Sequence, residues 1–367
     1  MVWHTNAQTL EIRNADSLYQ SGNYSKAIEA YTKVNDPKLI YDRIAKSYVA
    51  IGNYDLALEN YQRAIEVDSS NELALYEYAK LLSKTKKFQS SVEVFNQLMN
   101  IDYRNPNYHY EMGLAQNRLK DSTAINRFIS AFQLDRTHQK AIYQIAKHYL
   151  KRGRFSLVDH YTEIGLENYE NNVELISLKA QSDFRREYYS KAQKSFEKLT
   201  ELGESSEFIH EKLSICYAQN YDFVRAIEQK KKLLEFDPYN TNAMAGISVY
   251  YQQIKDYENA EKYMRQVITL RDVPLDYEFE QLGIALNRQE KHKEAIEAFK
   301  RAVKENPQNL NSAFYIVSTK DKFYADIDTK IKLYQDFIEA HPESSYSKLA
   351  QYRIKQLKEE KFLQKEE

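Results

Sequence analysis

An apolar stripe between Tyr24 and Val34 runs through Tyr24, Ala27, Ile28, Tyr31 and Val34. Steps of three and four place them on one face of an amphipathic helix. GNYSKAIEAYTKV begins at Gly22, and GNYDLALENYQRA repeats the pattern from Gly52. Sliding it along the chain puts counterparts of Ala27 at Ala57, Ser91, Ala124, Val158, Ala192, Ala226, Ala260, Ala295 and Lys330. The steps are 30, 34, 33, 34, 34, 34, 34, 35 and 35. Counterparts of Tyr31 are Tyr61, Phe95, Phe128, Thr162, Phe196, Lys230, Met264, Phe299 and Tyr334, mostly large and apolar. A further helical pattern precedes each, with a small residue at a fixed place: Ala15, Ala45, Ala79, Gly113, Ala146, Ala180, Ser214, Ser248, Gly283 and Ser318. The period predicts ten units of two helices that cross at small residues.

The breakers agree with that division. The six prolines, Pro37, Pro106, Pro238, Pro274, Pro307 and Pro342, all fall between units. Inside a helix each would cost ~3 kcal/mol. The first step is four residues short, about one helical turn, because Asn35-Asp36-Pro37 closes the first unit early. The second helix of that unit is therefore expected to be a turn shorter than its counterparts. Thr162, Lys230 and Lys330 are the exceptions to the apolar pattern, and loosened packing or a shifted helix phase is expected around them.

Two small residues, one aromatic and a 34-residue period resemble the tetratricopeptide repeat. The second unit carries the pattern as Ala45, Gly52, Tyr54, Ala57, Tyr61 and Ala64, the ninth as Gly283, Ala295, Phe299, Ala302 and Pro307. The resemblance covers residues 8–344 and implies an all-α, right-handed superhelix, an α-solenoid of antiparallel helix pairs. Residues 345–367 then supply a capping helix and a charged tail. Tyr346, Ala350, Ile354 and Leu357 make one apolar stripe there, as a cap that faces repeats on one side and water on the other requires. Residues 1–7 read either as the remnant of a signal peptide, since Thr5-Asn6-Ala7 resembles a cleavage site, or as a disordered terminus. The first reading places the protein in the periplasm or outside the cell, the second in the cytoplasm.

Charge and composition narrow the function. Fifty-two basic residues balance 53 acidic ones, so no global field selects nucleic acid or membrane. No apolar run is long enough to span a bilayer. Cys216 is the only cysteine and lacks a redox or metal partner motif, which makes it a packing residue. The histidines are dispersed, and no phosphate loop or metalloprotease motif is present. The expectation is a non-catalytic chain with no cofactor and no metal.

The resemblance implies a concave groove lined by the first helix of each pair. At the groove positions of repeats three to five stand Tyr76, Tyr110 and Tyr143, flanked by Lys80, Lys84, Asn117, Arg118, Lys147 and Lys151. Tyrosine offers a rigid apolar face with a polar tip, and lysine attracts carboxylates. The nine residues suit a protein or peptide segment carrying acidic residues. They are equally an ordinary solvated face in a chain with 31 tyrosines. A carboxylate clamp for chaperone tails is not expected, because Lys46 and Leu114 occupy the places where the family's clamp needs asparagine. The alternative function is a polyanion or single-stranded nucleic-acid binder using the same tyrosines and lysines, which the balanced charge and the groove residues Glu174, Glu211 and Glu280 disfavour.

Overall fold

The computed structural model describes residues 2–271, 275–323 and 326–363, and the side chains of 2–9, 37, 39 and 323 lie outside that description. Pro274 falls among the residues not described. The described secondary structure is helical throughout, and most helices adjacent in sequence pack on one another.

The chain forms two compact units, Met1–Ser182 and Asp183–Glu367. The first is built from α1 (Val2–Gln20), α2 (Tyr24–Tyr31), α3 (Pro37–Ala50), α4 (Tyr54–Val67), α5 (Glu72–Lys84), α6 (Phe88–Ile101), α7 (Pro106–Arg118), α8 (Ala124–Leu134), α9 (Gln139–Lys151) and α10 (Phe155–Asn168). The boundary falls within α11 (Val173–Arg185). The second unit continues with α12 (Tyr189–Glu201), α13 (Glu207–Gln219), α14 (Phe223–Phe236), α15 (Thr241–Gln253), α16 (Tyr257–Leu270), α17 (Asp276–Arg288), α18 (His292–Glu305), α19 (Leu310–Phe323), α20 (Ile327–Ala340) and α21 (Ser345–Leu363). Within each unit first helices also touch, α5 with α7 and α15 with α17. They form a face of their own.

Local chemistry sets the boundaries. Asn53, Asn71, Asn240, Asp222, Asp256 and Asp326 each accept a hydrogen bond from a backbone N–H in the first turn of the helix that follows. These caps satisfy donors that a helix start leaves open. Pro37 and Pro106 sit in first turns, where a missing N–H costs nothing. α2 has 8 residues where the second helices of later repeats have 11 to 14. The early stop before Pro37 produces that shortening.

The turn from first to second helix has one form in nine repeats. Gly22, Gly52, Lys86, Lys120, Gly153, Glu187, Tyr221, Lys255 and Glu290 all hold a positive φ between 59° and 81°. The next residue's N–H then reaches back to a carbonyl of the last helical turn, as from Asn53 to Tyr48, Asp121 to Gln116 and Lys291 to Leu286. That is a Schellman stop, which favours glycine.

The cores form where helices cross. Ala27, Ala45, Ala57 and Ala79 are wholly buried beside Tyr31, Tyr61 and Phe95. Gly113 and Gly283 leave room for the rings of Phe128 and Phe299, which an added Cβ would meet at 2.8 Å and 2.6 Å. Where serine replaces alanine, its hydroxyl donates across the crossing. Ser214 bonds the carbonyl of Ala226 at 2.9 Å, Ser248 that of Ala260 at 2.7 Å, and Ser91 that of Ala79 at 2.8 Å.

The three exceptions to the pattern resolve differently. Packing closes around Thr162, which is fully buried and returns its hydroxyl to the carbonyl of Asp159. Lys230 is 7% exposed, lies along Gly246 and donates to Glu211 at 2.6 Å. Loosened packing does not occur at either. The tenth repeat does shift phase. Thr319 and Ile331 are buried there instead of Ser318 and Lys330, and Lys330 pairs with Asp321 at 3.4 Å.

The turns carry a prediction. Tyr221 is 84% exposed at its positive φ, so its side chain has little packing to lose. Tyr221→Gly is expected to stabilise the protein by about 1 kcal/mol, and Gly52→Ala, at φ 81°, to destabilise it by about the same. Opposite shifts in the midpoint of urea unfolding are the measurement, and equal signs would refute the turn argument.

Candidate ligand-binding site

Tyr76 on α5, Tyr110 on α7 and Tyr143 on α9 occupy equivalent places, but they do not present equivalent surfaces. Tyr76 is half-buried, edge-on to Phe95 at 6.2 Å between centroids and 5.7 Å from Tyr108. Tyr110 is buried, 5.9 Å from Phe128 and 5.1 Å from the ring of His138. Both rings act as wedges, each reaching from its own second helix to the repeat that follows. Burial, and after it the carboxylate of Glu111, raises the pKa of each hydroxyl, to about 12 for Tyr76. Tyr143 is half-buried, and its hydroxyl accepts from Lys147 Nζ at 3.1 Å.

The lysines also divide. Lys80 lies over the ring of Tyr76 at 5.0 Å and 3.7 Å from the carboxylate of Glu77. Lys84 turns back over Tyr54 of the preceding repeat at 4.5 Å. Glu111 is half-buried between these positions, and burial raises its carboxyl pKa while Lys80 and Lys140 oppose the rise. Repeats three and four therefore offer a mixed surface, not the flanking basic row that the groove positions alone suggest. The glutamates sit one residue past the tyrosines, where a reading confined to groove positions passes over them.

The positive charge gathers one corner further on. Asn117, Lys147 and Lys151 border a cleft of about 740 Å³ that also takes in Lys120 and Arg152 from two turns. Its floor is Ala124, Ile125 and Phe128 on α8, and Gln144 and His148 complete the α9 side. Arg118 is exposed in the last turn of α7, next to this border. Lys120, Lys147, Lys151 and Arg152 form no ion pair with any described residue. The one carboxylate at the rim, Asp121, is occupied by its own loop, accepting from the N–H and hydroxyl of Thr123 at 2.8 Å each. Those bonds hold its pKa below the ordinary value.

Lys120 and Arg152 were not legible as site residues, because they stand in turns outside the first-helix positions. Lys120 occupies the positive-φ place where Gly22, Gly52 and Gly153 stand in other repeats. That is the one signal in the sequence, and a weak one, since five other turns also lack glycine.

The second unit differs in sign. Its groove positions Glu211 and Glu280 are engaged by Lys230 and by Ser312, whose hydroxyl is 3.0 Å from Glu280. A cleft of about 410 Å³ there is lined by Asp276, Tyr277, Glu280 and Tyr346 with several amides. Asp276 accepts from Asn306 and Asn309. Cys216 is fully buried, and burial pushes its thiol up to about 12, so it is inert as a nucleophile. Among the described residues no three of His, Cys, Asp and Glu gather closely enough to hold a metal ion. No described helix is long and apolar enough to cross a membrane.

Two stretches match known family patterns: residues 45–86 match one described as TPR repeat, and residues 248–309 one described as tetratricopeptide repeat. A TPR repeat-containing protein of Methanocaldococcus jannaschii is 22% identical over 295 residues, covering 74% of this chain and 50% of that protein. The chain thus spans about half the length of that relative. Among solved structures, a tetratricopeptide repeat protein of Parabacteroides merdae aligns with 68% of this chain and 99% of its own, at 15% identity and a TM-score of 0.47. PilF of Pseudomonas aeruginosa aligns with 59% of this chain and 99% of its own, at 19% identity and a TM-score of 0.47. None of these similarities carries a ligand or a partner over to this chain.

The cleft predicts a titration. Burial, then Arg152 and Lys151, lowers the pKa of His148, and burial likewise lowers His109 and His138. Arg152→Gln is expected to raise the His148 value, read by NMR from its ring proton. No movement would mean that the cleft's field does not reach the ring. All three histidines take up protons more readily in the unfolded chain. Stability should therefore fall as pH drops through about 6.5 and rise again above it.

Proposed function

We propose that this chain, a tetratricopeptide repeat protein, is a non-catalytic scaffold that holds a segment of a partner protein against the first helices of repeats three to five. The observation that carries this reading is the set of unpaired cations at Lys120, Lys147, Lys151 and Arg152 beside an apolar floor. Charges left uncompensated at one corner steer an oppositely charged partner and favour its acidic side chains. Tyr143, half-buried with a polar tip, supplies a rigid edge to the same surface. Tyr76 and Tyr110 serve chiefly to hold that surface in place. The repeat framework leaves function to the residues displayed on it.

The test is capture of partners from the native cell by the wild-type protein and by Lys147→Glu/Lys151→Glu. Both lysines are exposed, so the substitution spares the core. Reversal of two charges at one site should weaken capture by on the order of 10-fold or more, with unchanged helical circular dichroism. Equal capture by both proteins would sink the assignment of the site. Tyr110→Ala is the wrong probe, because truncating a buried aromatic costs about 3–5 kcal/mol and unfolds what it is meant to test.

A further inference from the structure

The cleft has a composition that says more about its ligand than its charge alone. Its cations do not lie along one helix. Lys147 and Lys151 belong to the first-helix face, whereas Lys120 and Arg152 stand in the turns that lead to α8 and α10. Between them the floor is made by a second helix, where Ile125 is half-buried and Phe128 packs beneath Tyr110. A bare anion would use the rim and leave that floor wet. A purely apolar ligand would leave the four cations without partners.

Resting on the reading given above, we propose that the cleft binds a short acidic segment of a partner protein that carries one large apolar residue between carboxylates. The apolar side chain covers Ile125, the half-buried part of that floor, beneath which Phe128 is 4% exposed. Carboxylates on one side of it meet Lys147 and Lys151, and those on the other meet Lys120 and Arg152. The segment thereby leaves the first-helix face and crosses the rim between the two turns. A volume of about 740 Å³ accommodates a few residues, not an extended strand along several repeats. The position of the floor on α8 distinguishes this mode from one confined to the first helices.

The experiment uses the full chain and fluorescein-labelled synthetic peptides followed by fluorescence anisotropy. The probe has the sequence Gly-Asp-Glu-Leu-Asp-Glu-Gly; one control replaces Leu by Ser, another replaces the acids by their amides. Inorganic phosphate and a single-stranded oligonucleotide compete in separate arms. Each control is expected to bind on the order of 10-fold or more weakly than the probe, and phosphate at millimolar concentration to displace little of it. Lys120→Glu/Arg152→Glu should weaken the probe by a similar factor, while Lys26→Glu, exposed on α2, changes it less than twofold. The turn accepts the first substitution without strain beyond that already present, since Glu187 and Glu290 hold the same positive φ in equivalent turns. The Leu-to-Ser peptide binding as well as the probe, or the oligonucleotide binding more tightly, overturns the proposal. So does an unchanged affinity in Lys120→Glu/Arg152→Glu. If the probe fails on the wild-type protein while Lys147→Glu/Lys151→Glu still loses its cellular partners, the ligand class falls and the scaffold reading stands. Loss of neither makes both fall.

Discussion

At most helix crossings a residue no larger than serine faces a backbone across the repeat, and a large ring or a long apolar chain fills the space one turn away. Ala45 with Tyr61, Ala79 with Phe95 and Gly283 with Phe299 are instances. Interiors are packed to crystal-like density, so the approach distance is set by the smallest side chain between the helices. Serine fits only because its hydroxyl has a carbonyl to bond, as at Ser214 and Ser248. An unpartnered hydroxyl there would leave a buried polar group at a cost of about 1–3 kcal/mol. The tenth repeat lacks this fit: the buried hydroxyl of Thr319 has no partner among the described residues, and the phase has moved by one residue. The crossing therefore governs the register of each pair, and through it which residues reach the first-helix face.

Most of the fold was legible because packing repeats and the repetition can be read. Alanine, glycine or serine at fixed spacing recurs in all ten units, and an aromatic follows it in seven of them. The Lys230 and Thr162 exceptions were legible as exceptions, but not their consequences. Whether a lysine at an apolar position opens the core depends on what lies across from it. Here Gly246 leaves the space for its stem and Glu211 takes its charge. A ring such as Tyr110 poses the same difficulty. Its position marks it as groove-facing, yet the bulk of Phe128 and His138 around it decides that it is buried.

The candidate site was half legible for a related reason. Lys147, Lys151 and Asn117 stand at helical positions whose direction follows from the period. Lys120 and Arg152 stand in turns, and a turn residue's direction follows from its backbone angles. The Schellman stop at Lys120 supplies them: a φ of 59° ends α7 and carries the chain to α8. Glu77 and Glu111 were overlooked in the opposite sense. They lie beside the groove positions and supply carboxylates among the lysines of repeats three and four. What distinguishes the corner at repeats four and five is the lack of such a counterweight, which only the side chains in place can reveal.

The lack has an energetic meaning. Cations gathered within a few ångströms to a Debye length repel one another, and ordinary salt screens them only in part over that range. The depressed pKa of His148 beside Arg152 and Lys151 is in part that repulsion, felt by a group that can decline to carry charge. The folded protein thus holds an electrostatic strain that an anionic ligand relieves on arrival. Relief of strain in the free protein adds to affinity without any new apolar contact. The apolar floor acts differently in the proposed mode, where it would separate an acidic protein segment from the small anions that relieve the strain equally well. In the proposed mode, charge at this corner supplies the attraction and the half-buried Ile125 supplies the choice.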